Sequence, residues 1–205
     1  MVARLPGFVE HIGWVKAPSY RLASRAVNAL RAGIAVQTYE ELNPASLILV
    51  SVPREIEDHV IGELAATPLN WHGRAVVVLD TCKESSQLWP LRDVHAQLAT
   101  LHPVGAAEDR TFIIEGHPET IRRVQRSFSP DTARSMQVIM TGGKARVLAG
   151  IEEATRGFFP VIASVTDHFK AAGLSKPQSE VLAHTLVSGS MRTYFRAGRR
   201  ALESK

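Results

Sequence analysis

The sequence predicts an α/β fold, a mostly parallel sheet flanked by helices and followed by an all-helical C-terminal part. Three observations predict it. Short β-rich runs alternate with helical stretches as far as Met140, two of those runs are continuously apolar, and beyond Gly142-Gly143 the strand signals stop. Alternation of this kind builds successive βα units, and a continuous apolar run is what a strand buried on both faces requires. The expected organisation is an α/β domain over residues 1–141 and a helical, dimer-forming domain over residues 142–205.

Strands are expected at Phe8–Val15, Ile34–Gln37, Leu47–Val52, Ala75–Leu79, Leu98–His102, Thr111–Glu115 and Met136–Met140. Leu47-Ile48-Leu49-Val50 and Ala75-Val76-Val77-Val78-Leu79 should form the sheet centre. Helices are expected at Ser19–Ala32, Pro53–Ala66, Ser85–Val94 and Pro118–Phe128. Pro53 suits a first helical position, where its missing N–H costs nothing, and Glu55, Glu57 and Asp58 lie near the positive end of that helix dipole.

In the C-terminal part, Leu148, Ile151, Thr155, Phe158, Ile162, Val165 and Phe169 recur at spacings of three and four, a helical stripe with a kink expected at Pro160. Ala171-Ala172-Gly173 ends it. Ser175-Lys176-Pro177-Gln178 then opens a second helix, expected to run to Leu202, with the pattern of a capping box. Two helices this long extend past what one small sheet can cover, so a second copy of the chain is the expected partner.

With 45% hydrophobic residues in 205, the chain can bury a real core. The single cysteine, Cys82, excludes an intramolecular disulfide framework, and no Cys/His cluster has metal-ligand spacing. A cytoplasmic location and no metal are expected. Met1 to Gly7 carries no apolar signal core, and the most apolar stretch, Gly157–Val165, is too short to span a bilayer. The net charge of +4 is spread along the chain, which argues against nucleic acid as a partner. Thr141-Gly142-Gly143-Lys144 is too short for a phosphate-binding P-loop, no nucleophile elbow is present, and Arg192, Arg196, Arg199 and Arg200 have the spacing of a solvated helical face.

A βαβ start, a strand ending in Ser51-Val52-Pro53, a later Leu101-His102-Pro103-Val104 and a final pair of long helices follow one another in a recognisable order. Together they resemble Rossmann-like proteins of the 6-phosphogluconate dehydrogenase-like superfamily, kin to pyrroline-5-carboxylate reductase and the deazaflavin-dependent NADP reductases. The resemblance implies a dinucleotide domain, a dimerising helical domain and a site in the cleft between them. Phe8–Val15 then corresponds to the family's second strand. The Gly-x-Gly-x-x-Gly turn of the first has no counterpart, since Gly7, Gly13 and Gly33 are the only glycines before residue 40. The chain thus reads as a Rossmann-like domain shortened by one βα unit.

Site residues follow from this alignment. Lys16, Ser19 and Arg21 stand where NAD enzymes place an acid, and their charge and hydrogen bonding favour the 2′-phosphate of NADP; the alternative is a basic exposed loop. The Val52-Pro53 turn would lie against the cofactor, or serve only as a helix start. His102 ends a strand and would act as a proton donor or acceptor beside a carbonyl, or else hydrogen-bond within a domain interface. Lys144 occupies the place of a catalytic lysine in hydroxyacid dehydrogenases, although Val147 and Leu148 replace their usual asparagine; the alternative is a solvated lysine. Glu115-Gly116-His117-Pro118 would close a pocket rim or cap a helix. The expected function is that of an NAD(P)-dependent oxidoreductase acting on a small carbonyl or imine. The alternative is a non-catalytic dimeric binding or structural protein that has lost the dinucleotide turn.

Overall fold

The structure is a computed structural model that describes residues 12–104 and 111–198, and the chain divides into two compact units, residues 1–148 and 149–205. Strand and helix signals of the first unit resolve into two sheets. Strands β1 (Trp14–Lys16) and β2 (Ile34–Val36) pair in parallel around helix α1 (Tyr20–Leu30). Five further strands form one sheet in chain order: β3 (Leu47–Val50), β4 (Ala75–Leu79), β5 (Gln97–Val104), β6 (Thr111–Gly116) and β7 (Met136–Val138). The Phe8–Val15 strand expected from sequence lies partly outside the described residues; its visible end belongs to β1.

β3, β4 and β5 run parallel, β6 turns antiparallel to β5, and β7 follows β6 in parallel. Every residue of β4 is buried, as its apolar run requires. Period-2 alternation splits the sheet into two faces. Val76, Val78 and Leu98 pack against Ile61 and Leu64 of α2 (Arg54–Ala66) and Leu91 of α3 (Trp89–Asp93). Val77, Ala99, Leu101 and Ile114 pack on the other face against Ile121 and Val124 of α4 (Pro118–Ser127). Full burial of an aliphatic side chain contributes about 1.5–3 kcal/mol, so these two layers hold the unit together.

Several local expectations change. Pro53 is the cap residue of α2 rather than its first helical residue: its ψ of 146° is extended, and the helix starts at Arg54. The helix expected over Ser85–Val94 is a 3₁₀ turn at Ser85–Gln87 followed by the short α3, because Pro90 cannot donate to a preceding turn. A short α5 (Pro130–Arg134), capped by Ser129, precedes β7.

Helix α6 (Lys144–Glu152) leads into the second unit, where a π-helical turn at Glu153–Gly157 separates it from α7 (Phe159–Ala171). The interruption falls where Pro160 removes a backbone donor. Helix α8 (Lys176–Ala197) begins with the expected capping box: Gln178 accepts from the Ser175 backbone N–H at 3.0 Å. The stripe residues Ile151, Phe158, Ile162, Val165 and Phe169 are half-buried, whereas Thr155 is exposed. No helix among the described residues is long and apolar enough to cross a membrane.

Candidate functional site

Parallel strands β3, β4 and β5 bring their carboxyl ends to one edge of the sheet, the edge where open α/β sheets take ligands. Asp80 follows β4 directly and adopts a left-handed backbone, φ 56°, with its N–H bonded to the Leu101 carbonyl at 2.8 Å. His102 stands one residue further along β5. Its Nδ1 lies 3.1 Å from Oδ1 of Asp80, an ion-pair distance, but off the angle of a hydrogen bond, so this buried nitrogen has no hydrogen-bond partner among the described residues. Arg54, the first residue of α2, reaches the same Asp80 carboxylate at 3.9 Å.

Burial pushes the His102 imidazole below its usual 6.5; Asp80 opposes that shift, and the cations Lys144 and Arg54 add to it. At neutral pH the ring is therefore neutral. Lys144 is buried, 1% exposed, contrary to a solvated helix start. Its Nζ donates to the Thr100 Oγ1 at 2.8 Å and to the Lys83 carbonyl at 2.9 Å. Desolvation lowers its pKa to about 8, against the opposing pull of Glu115, Cys82, Glu57 and Glu84.

A second carboxylate clamps the loop after β4. The buried Glu57 accepts from Thr81 Oγ1 at 3.0 Å and lies 3.5 Å from Lys83 Nζ, which also pairs with Asp58. Cys82 is exposed on this loop. Among the described residues, no group of three or more His, Cys, Asp or Glu side chains is placed to hold a metal ion.

The residues singled out in the sequence fall in two places. Val52, Pro53, His102 and Lys144 belong to the sheet's carboxyl edge and the layer beneath it. Lys16, Ser19 and Arg21 cluster at the end of β1 and the start of α1. There Lys16 Nζ stands 4.8 Å over the Tyr39 ring and donates to the Ala17 carbonyl, Ser19 Oγ accepts from the Leu22 N–H as a helix cap, and Arg21 is exposed. Two cations beside a helix N-terminus suit a phosphorylated ribose. No glycine-rich turn that would cradle a pyrophosphate is found among the described residues.

Gly116-His117-Pro118 does not form a pocket rim. Because β6 is antiparallel, its end lies beside Leu98 and Ala99 at the opposite edge of the sheet, where His117 Nδ1 caps α4 by accepting from the Glu119 N–H. Sequence reasoning missed Arg54, Asp80, Thr100 and Glu57. Asp80 was accessible, being the first polar residue after the β4 apolar run; the others depend on tertiary packing.

No protein-family model matches the chain, and no curated protein does. Solved structures do match. A pyrroline-5-carboxylate reductase from Coxiella burnetii aligns over 98% of this chain and 78% of its own, with TM-score 0.64 at 14% identity. The chain has the Rossmann-like fold of these reductases. An imine reductase from Myxococcus stipitatus, solved with NADP+, aligns over 97% of the chain and 73% of its own, with TM-score 0.67 at 13% identity. The Plasmodium falciparum pyrroline carboxylate reductase with NADP bound gives 98%, 77%, 0.63 and 14% respectively. In this Rossmann-like frame the helical C-terminal unit follows the sheet in the chain, and the Asp80–His102 pair lies at the carboxyl end of the parallel strands.

Proposed function

We propose that the chain is an NAD(P)-dependent oxidoreductase that reduces a small carbonyl or imine at the carboxyl edge of its sheet, with NADP as the nucleotide. The observation that carries the reading is the Asp80–His102 pair at the carboxyl edge, with the Lys144 ammonium close enough beneath it to lower the His102 pKa, in a fold shared with pyrroline carboxylate and imine reductases. A bound nicotinamide would supply the hydride. His102, half-buried two residues before the end of β5, contacts the substrate, and the Asp80 carboxylate lies against its Nδ1. Lys144 keeps its proton at neutral pH and favours the negative charge that develops on a carbonyl oxygen as it is reduced. Lys16 and Arg21 receive the 2′-phosphate. The test is separate calorimetric titration with NADPH and NADH, followed by nucleotide oxidation with a panel of carbonyl and cyclic imine substrates. Tighter binding of NADPH is expected.

The missing glycine turn among the described residues favours a second reading, a Rossmann-like binding or structural protein without catalysis. Heat from neither nucleotide would select it, and turnover of any panel member would exclude it.

The second unit supports self-association. Phe159 and Val161 on α7 and Val181, Leu186, Met191 and Phe195 on α8 are exposed apolar residues on two adjoining helices. A homodimer is the expected state, and sedimentation equilibrium of the full chain checks it.

A further inference from the structure

Thr100 and Glu115 face each other across the antiparallel β5–β6 pair, so their side chains share one face of the sheet. That face is otherwise the apolar layer under α2 and α3. Both residues are 1% exposed. The Glu115 carboxylate is held on three sides: Oε1 accepts from the Ser85 N–H at 2.6 Å and from Thr100 Oγ1 at 2.7 Å, and Oε2 accepts from Ser85 Oγ at 2.7 Å. A hydroxyl has one proton. Since Thr100 gives it to Glu115, its lone pairs are left to accept from Lys144 Nζ, as they do at 2.8 Å.

The result is a buried cation and a buried anion joined through one hydroxyl rather than in direct contact. Burial disfavours the ammonium, and the Glu115 carboxylate favours it. With Thr100 between them, Lys144 is bonded to β5 at Thr100, two residues before His102 on the same face, with the Lys83 carbonyl as its second acceptor. Its third N–H has no acceptor among the described residues.

We infer that Glu115 is a positioning residue for Lys144, acting through the Thr100 hydroxyl and anchored by Ser85, so that the ammonium is held beneath the strand-end site. The inference gives Lys144 its place in the reaction proposed above and rests on that reading for its functional meaning, but its test does not need turnover. The groups that face the ammonium are Glu115 from β6, Cys82 and Glu84 from the loop after β4, and Glu57 from α2; His102 on β5 is the nearby titratable base.

The Cε and Nζ resonances of isotopically labelled lysine, with Lys144 assigned by its loss in Lys144→Met, report the titration in the full-length protein. The parent should titrate near 8. Glu115→Gln should lower the midpoint, Thr100→Val should shift it, and Thr100→Ser, which restores the hydroxyl, should return it to the parental value. An unchanged midpoint in Glu115→Gln, or equal midpoints in Thr100→Val and Thr100→Ser, overturns the inference. Should Glu115→Gln fail to fold, the two Thr100 variants decide alone. In a preparation that oxidises NADPH, the basic limb of the rate profile should move with the midpoint; a preparation without turnover leaves the resonance test intact and counts against the proposed function only.

Discussion

Asp80 and His102 meet across neighbouring strands with Oδ1 and Nδ1 3.1 Å apart, and Asp80 reaches this position from a left-handed backbone, φ 56°. A non-glycine residue in that region stores strain, which neighbouring structure must hold in place. Here the holding bond is the Asp80 N–H to the Leu101 carbonyl. The pairing sets the protonation of the imidazole against its own burial.

The first prediction concerns that balance. Burial lowers the His102 pKa and Asp80 raises it, so Asp80→Asn should move the midpoint further below 6.5. Asparagine also tolerates the left-handed backbone, so the substitution removes charge without reshaping the turn. Proton NMR of the His102 ring would measure the midpoint, and an upward movement would contradict the assignment. Stability follows with a definite sign. The folded pKa is depressed, so the unfolded chain takes up this proton first as pH falls, and stability is lost on acidification below 6.5. Urea melts of Asp80→Asn should show the steeper loss.

Lys144 gives the opposite window. Its folded pKa of about 8 lies under the ordinary 10.5, so between those values the unfolded chain binds more protons and stability rises with pH. Below 8 both states are protonated and the cost of burial is constant. Lys144→Met should flatten the rise by about 2 kcal/mol, after allowance for solvent screening of the full shift. Parallel urea melts across the window test this, because other titrating groups, Tyr39 and Lys83 among them, are common to both proteins and cancel. Identical slopes would mean that the ammonium is solvated.

The nucleotide preference rests on a different cluster. Arg21 is exposed at the start of α1, next to Lys16 and the capping Ser19. Arg21→Glu replaces attraction for a 2′-phosphate with repulsion, and one screened charge contact of about 1.4 kcal/mol corresponds to tenfold in affinity. NADPH affinity should fall by at least that factor while NADH affinity changes little. Equal losses for both nucleotides would place the phosphate elsewhere.

Strands were the more legible part of this chain. The apolar run at Ala75–Leu79 is β4 to the residue, because a central strand buried on both faces leaves no polar position to blur its ends. The reversal between β5 and β6 was also implicit, since the connection from Val104 to Thr111 is too short for a parallel crossover. Pro160 marked where the C-terminal helix breaks, but not that the break is a π-helical turn. His102 and Lys144 were singled out by position within a resemblance; their environments were not legible. Glu115 in sequence looks like the polar end of a strand, and nothing local shows that Ser85 and Thr100 will enclose it. Ser85 and Glu115 are thirty positions apart, and their contact exists only once β4 and β6 lie in one sheet.

Gly116 tests the antiparallel register itself. It ends β6 at φ 131°, opposite Ala99, and a Cβ there would come within 2.3 Å of the Leu98 carbonyl oxygen and 2.5 Å of the Ala99 Cα. Both are backbone atoms of a central strand, so neither can give way as a flexible side chain would. The backbone angle is itself unfavourable for any L-residue with a side chain. Gly116→Ala should therefore cost about 2–4 kcal/mol, the range of a buried steric conflict added to backbone strain. The displacement would act on the neighbouring Thr100–Glu115 pair, so the Lys144 resonance should shift in the same variant. A melt within 0.5 kcal/mol of the parent, roughly the effect of an ordinary surface substitution, would show that β6 does not end against β5 in this register.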